Sequence, residues 1–301
     1  MSTAGSTRAI LAALLANAGI AVAKFIGFLI TGSSSMLAES VHSVADTSNQ
    51  GLLLWGQRQA RKEADALHQF GYGRSRYFYS FVVALVLFTL GSVFALYEGY
   101  HKISHPEGLT SPVVAIGLET YSFRTAIVES RPLKGPGGWW RFIRTSRNPE
   151  LPVVLLEDTG ALVGLVFALM GVGLTVLTGD PVWDGIGTAA IGALLGVIAI
   201  ILMVEMHSLL IGEGATKQED AAIRAALEQT EHIERLIHIR TQYLGPDELL
   251  VGAKIALAPE TDLATVAATI DAAEAAVRAA VPAARVIYLE PDLDRALTGR
   301  A

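Results

Sequence analysis

Apolar residues fall in six long runs separated by short polar stretches, and the last third of the chain abandons that pattern. A helix that crosses a bilayer needs about 20 mainly apolar residues. The runs are Ile10–Ile30, Met36–Gly56, Tyr77–Tyr97, Pro112–Val128, Leu151–Leu177 and Gly185–Ile211. The fourth is the weakest, being short and holding Glu119 and Arg124. Thr31, Gly32 and Ser33 supply a turn after the first run, and Gly179, Asp180 and Pro181 one between the fifth and sixth.

From about Gly214 the spacing becomes that of a soluble domain. Lys217–Thr230 reads as an amphipathic helix, and Leu236–Tyr243 and Glu248–Leu257 as strands joined at Gly245, Pro246 and Asp247. Leu263–Ala280 reads as an Ala-rich helix ended by Pro282, and Arg285–Leu289 as a third strand. This αββαβ order predicts a small α+β sheet domain with helices on one face. The fold expected is therefore an α-helical membrane protein. Six transmembrane helices occupy residues 1–212, and a small α+β cytoplasmic domain occupies residues 213–301.

Composition agrees with this division. Of 301 residues 51% are hydrophobic and 17% charged, against about 25% charged in a typical soluble domain. With no cysteine, disulfides, thiolate metal sites and cysteine nucleophiles are excluded. The net charge of −6 sits mainly in the C-terminal third and argues against nucleic acid as a partner. Basic residues cluster after the second run (Arg58, Arg61, Lys62, Arg74, Arg76) and after the fourth (Arg131, Lys134, Arg141, Arg144, Arg147). The other connections are nearly free of them, Lys102 excepted. Basic loops stay cytoplasmic, so both termini are expected on that side. Only Arg8 precedes the first run, and no small-residue cleavage site stands out. That run reads as a retained helix, and the missing Arg/Ser-rich transit peptide makes a bacterial inner membrane the expected location.

Ionisable residues inside membrane helices are costly and mark function by default. The second run carries Glu39, His42, Asp46 and Asn49, at spacings of three, four and three, which puts all four on one stripe. His and Asp one turn apart can hold a divalent ion through nitrogen and oxygen. The fifth run adds Glu157 and Asp158 near its cytoplasmic end. The plainer reading is that these groups only hydrogen-bond neighbouring helices. Lys24 is a snorkelling residue or an internal counter-charge to Glu39 or Asp46. Glu119 with Arg124 reads as a structural pair, Trp139 and Trp140 as interfacial anchors, and Glu205 and His207 as interfacial. A His/Asp/Asp site with an open position also suits metal-assisted hydrolysis. No further base or nucleophile accompanies it, so an enzyme is not expected. A metal sensor is the remaining alternative.

The run SSSMLAESVHSVADTSNQG (Ser33–Gly51) and the loop HQFGYGRSRY (His68–Tyr77) resemble the cation diffusion facilitator family. The run SRNPELPVVLLEDTGALVG (Ser146–Gly164) is similar to the branch containing the animal mitochondrial zinc exporter. The resemblance implies a homodimeric six-helix transporter in the lipid bilayer that exports zinc or a related divalent cation in exchange for protons. It implies a transport site built from paired His/Asp-x-x-x-Asp motifs. His42 and Asp46 fill the first pair and Asp158 half of the second, but Leu162 stands at the last position. Glu39 and Asn49 are the first choices to complete the shell, with Glu157 or water behind them. With so few imidazoles, Mn2+, Fe2+ or Co2+ stay open beside Zn2+. Two accessory sites of the family are depleted. Asp65 and His68 match positions of a loop site whose further histidine is Tyr72 here. His238 matches a ligand of the cytoplasmic domain whose other positions are Lys254, Tyr288 and Glu290. That domain is expected to bind zinc weakly or not at all and to serve dimerisation.

Overall fold

The computed structural model describes residues 3–31, 34–105, 146–180 and 182–293, with single positions between 124 and 143. The chain forms two compact units. One comprises Met1–Lys62 and Ser75–His207, the other Glu63–Arg74 and Ser208–Ala301.

The first unit is helical: α1 (Thr3–Thr31), α2 (Ser34–Ala60), α3 (Ser75–Ser104), α4 (Glu150–Thr178) and α5 (Val182–Ile211). These five correspond to the first, second, third, fifth and sixth apolar runs, each longer than its run at one end or both. The expected fourth span, Pro112–Val128, lies almost wholly outside the described residues. At 30 residues each, α3 and α5 are about 45 Å long, enough to cross a bilayer core. Gly179 closes α4 in a left-handed conformation, φ 74°. All five helices contribute to one apolar cluster, which includes Ile10, Leu53, Val83, Val154 and Leu202.

Two features of α3 were not foreseen. Leu87–Val93 is a π-helical segment. There the Thr89 hydroxyl donates back to the Leu85 carbonyl at 2.9 Å and the Ser92 hydroxyl donates to the Gly192 carbonyl at 2.8 Å. The Thr89 hydroxyl competes with the ladder of its own helix, whereas the Ser92 hydroxyl ties α3 to α5. α3 also packs backbone-close on α5. A Cβ on Gly99 would stand 2.6 Å from the Ala189 nitrogen, and one on Gly192 2.7 Å from the Leu96 nitrogen. Small residues allow this approach where lipid supplies no hydrophobic drive between helices.

The second unit holds α6 (Lys217–Glu228), β1 (Arg235–Gly245), β2 (Glu248–Ala256), α7 (Leu263–Ala280) and β3 (Ala284–Asp292). The sheet order is β1-β2-β3, with β1 and β2 antiparallel and β2 and β3 parallel. A capping box of Thr216 and Glu219 starts α6. Asp262 caps α7 by accepting from the Ala264 and Thr265 amides. Alternate strand residues (Val251, Ala253, Ile255, Ile287) meet Ile223, Leu227, Ala273 and Val277 of the helices in a single core. The other face of the sheet carries His238, Lys254 and Glu290 side by side.

Segment 63–74, which a linear boundary near residue 212 assigns to the membrane part, belongs to the sheet unit. Gly73 is the reason. A Cβ there would lie 2.8 Å from the Leu244 carbonyl oxygen, and one on Gly245 2.9 Å from the Gly73 Cα. The loop thus lies backbone to backbone on the end of β1, a contact only glycine permits.

Candidate metal site

Glu39, His42, Asp46 and Asn49 all lie on α2, and Asp158 lies on α4. The side chains of Glu39 and His42 fall outside the described residues. Asp46 is half-buried, Asn49 is 2% exposed and Asp158 2% exposed. Among the described residues no three His, Asp or Glu side chains form one cluster.

What joins the two helices is Glu157. Gln50 Nε2 donates to its Oε2 at 2.8 Å, and Asn49 Nδ2 approaches its Oε1 at 3.5 Å. Gln50 is wholly buried and Glu157 is 8% exposed. A carboxylate so placed requires donors, and the amide groups present theirs. Their oxygens are left over: Asn49 Oδ1 and Gln50 Oε1 are buried acceptors without a hydrogen-bond partner. An unsatisfied buried acceptor costs about 1–3 kcal/mol, and Asn49 Oδ1 is the atom through which that residue would bind a cation. Glu157, offered by the sequence as a further ligand, instead has its oxygens engaged by amides. Gln50 was missed, although it sits one turn beyond Asp46 on the same stripe; reading the stripe past Asn49 would have found it.

A second tie sets helix direction. Arg76, in the first turn of α3, donates to Glu150, in the first turn of α4, from Nε to Oε1 at 2.5 Å and from Nη2 to Oε2 at 2.8 Å. A further Nη2 bond reaches Asn148 Oδ1 at 3.0 Å. Arg76 follows the C-terminal end of α2, so α4 begins where α2 ends and the two run antiparallel. From the Glu157 level, Asp46 stands about 5 Å back along α2 and Asp158 about 1.5 Å on along α4, in the same direction. Leu162 follows a turn later and is half-buried. It supplies no ligand atom.

The two accessory groups are internally satisfied. Asp65 accepts from the Leu67 amide at 2.9 Å, the His68 amide at 2.6 Å and the Tyr72 hydroxyl at 2.5 Å. The Tyr72 hydroxyl, followed by the His68 amide, holds the Asp65 carboxyl down at about 2. His68 Nδ1 lies 3.3 Å from the same carboxylate, with its ring 4.4 Å from that of Tyr72. All of this is exposed loop. On the open face of the sheet, Lys254 Nζ contacts Asp292 at 2.8 Å and Glu290 at 2.9 Å. These carboxylates, Asp292 first, raise the Lys254 pKa. Its ammonium stands between two acids where a metal ligand was sought. Arg124 and Trp140 are exposed, and Trp139, Glu119 and the side chain of Lys24 lie outside the described residues.

Residues 10–211 match the family described as the cation efflux transmembrane domain. The proton-coupled zinc antiporter SLC30A9, mitochondrial, of Mus musculus is 28% identical over 260 residues, covering 83% of this chain and 46% of that protein. Metal tolerance protein C4 of Arabidopsis thaliana is 30% identical over 259 residues, covering 83% of this chain and 57% of that one. The chain thus spans about half the length of these two relatives. Magnetosome protein MamM of Magnetospirillum gryphiswaldense is 25% identical over 270 residues, 84% of this chain and 77% of that protein. Among solved structures, the nickel form of a MamM CTD variant aligns at 19% identity and a TM-score of 0.25, over 27% of this chain and 100% of that one.

Proposed function

The chain belongs to the cation efflux family, the cation diffusion facilitators, and from that premise we propose that it is a secondary active transporter exporting divalent metal ions, Zn2+ foremost, in exchange for protons. The ion sits between α2 and α4, with His42, Asp46 and Asp158 as ligands and Asn49 Oδ1 or Glu39 completing the shell. The observation that carries this reading is the buried α2–α4 contact through Asn49, Gln50 and Glu157. It joins the two helices that bear the candidate ligands, and the Asn49 oxygen beside it lacks a partner.

The exchange follows from charge. Asp46 and Asp158 bring two negative charges into a poorly hydrated bundle, and a divalent cation neutralises them. Without the cation, bare carboxylates are unfavourable there, and protons are the available substitute. Alternating access of the site to the two faces then couples metal to protons. Six spans with both termini cytoplasmic complete the membrane part, residues 1–212. Residues 213–301 form a cytoplasmic dimerisation domain in a homodimer. Leu162 in place of a fourth ligand favours a second reading of selectivity: an oxygen-rich, imidazole-poor shell suits Mn2+, Fe2+ or Co2+ as well.

The test is flux. Proteoliposomes holding the full chain should take up Zn2+ at a rate that rises with an opposing pH gradient, and Asp46→Ala or Asp158→Ala should abolish uptake. Normal transport by either variant would remove the site assignment. Uptake indifferent to the gradient would remove the exchange.

A further inference from the structure

The end of α3 remote from Arg76 carries an arrangement that the α2–α4 site does not use. Tyr97, His101 and His105 follow one another at one-turn spacing, and all three are exposed. The rings of His101 and His105 stack with centroids 5.0 Å apart and planes 24° apart, and Tyr97 stacks behind His101 at 6.4 Å. The His105 amide donates to the His101 carbonyl at 2.7 Å, which keeps the last turn closed although His105 itself has left the helix, φ −139°.

We propose that His101 and His105 form a second, labile divalent-metal site. Its ligand class is the borderline transition ions that prefer imidazole: Zn2+, Co2+, Ni2+ or Cu2+. Three physical points carry this. First, two imidazoles sharing one tetrahedral zinc, with Zn–N of about 2.0–2.1 Å, have ring centres about 5 Å apart. The 5.0 Å separation observed already meets that, and rotation about χ2 turns the nitrogens inward while leaving the centres nearly in place. Second, the pair sits at the C-terminus of a 30-residue helix, where unpaired carbonyls make the local potential negative and favour a cation. Third, the neighbouring cation is directed elsewhere: Lys102 Nζ pairs with Asp184 of α5 at 3.3 Å. Two protein ligands leave the remaining positions to water, so exchange is fast and affinity modest. That this is the release side of the membrane rests on the transport reading. The binding itself does not.

The experiment uses the full chain in detergent with Zn2+ as the probe. Diethyl pyrocarbonate modification is read at each histidine by mass spectrometry, in a background carrying Asp46→Asn and Asp158→Asn to silence the α2–α4 ligands. With Zn2+ at about ten times its Kd, modification of His101 and His105 should slow together by about tenfold, the factor 1 + [Zn2+]/Kd for a single site in fast exchange, while exposed His207 keeps its rate. His105→Asn should abolish protection at His101, and His101→Asn that at His105. Both positions are exposed, so the variants retain the fold. Protection of one residue surviving loss of the other, or no protection at millimolar Zn2+, would overturn the site. Neither result touches the flux test of Asp46 and Asp158, so the two ideas fail separately.

Discussion

Truncating Glu150 to alanine should be among the most damaging single changes to the helical unit. Its carboxylate is 1% exposed and faces a guanidinium that is 3% exposed, across two parallel bonds of 2.5 and 2.8 Å. Removing it takes two charge-assisted bonds away from a buried guanidinium. Breaking one side of such a pair costs about 3–5 kcal/mol, roughly two to four decades in the folded-to-unfolded ratio. The double change Arg76→Leu with Glu150→Leu removes both charges at once and should recover most of that loss, because well-packed apolar groups replace a buried pair at little net cost. Unfolding of the full chain in mixed micelles, followed by circular dichroism, measures all three proteins. Glu150→Ala unfolding with the wild type, or a double variant less stable than either single one, would refute a stabilising role for this buried pair. Glu150 lies two turns before Glu157 on α4, about 10 Å. Metal flux per folded molecule should therefore also fall when this anchor is lost.

Gln50→Leu removes the 2.8 Å bond to Glu157 Oε2 and should cost about 1.5–3 kcal/mol, the worth of a buried hydrogen bond to a charged group; wild-type stability in the same unfolding assay would show that this bond is dispensable. At Asp65, the folded pKa of about 2 lies below the ordinary value of 3.8, so the loop gains stability that is fully present above 3.8 and is lost as pH falls through about 2. Tyr72→Phe removes the largest cause and should move the Asp65 midpoint upward toward 3.8 in a carboxyl 13C titration; an unmoved midpoint would show that the backbone amides alone hold it down.

The elements were largely legible because periodicity is a local property. Leu263–Ala280 was read with the same ends it has in the structure, and the hairpin strands moved by a residue or two. Asp262 and Thr216 cap their helices through neighbours three residues away or closer, which is also local chemistry. The candidate ligands were proposed from their type and spacing, whereas Leu162 stands out as a gap only through what the family resemblance implies.

By itself the sequence determined what each stretch is made of: apolar lengths fit to cross a bilayer, a polar stripe on α2, an acidic pair on α4, a small sheet unit after them. Only the tertiary structure decided which of those groups meet. Two adjacent carboxylates, Glu157 and Asp158, look alike along the chain. One of them is met by the Gln50 and Asn49 amides across more than a hundred residues of sequence. Lys254 between Glu290 and Asp292, Gly73 on Leu244, and Arg76 in Glu150 are likewise contacts between distant segments. The reason is physical. Periodicity and capping are set within a turn or two of chain, whereas the partner of a buried charge depends on helix rotation, axial level and direction, which exist only once the helices have packed.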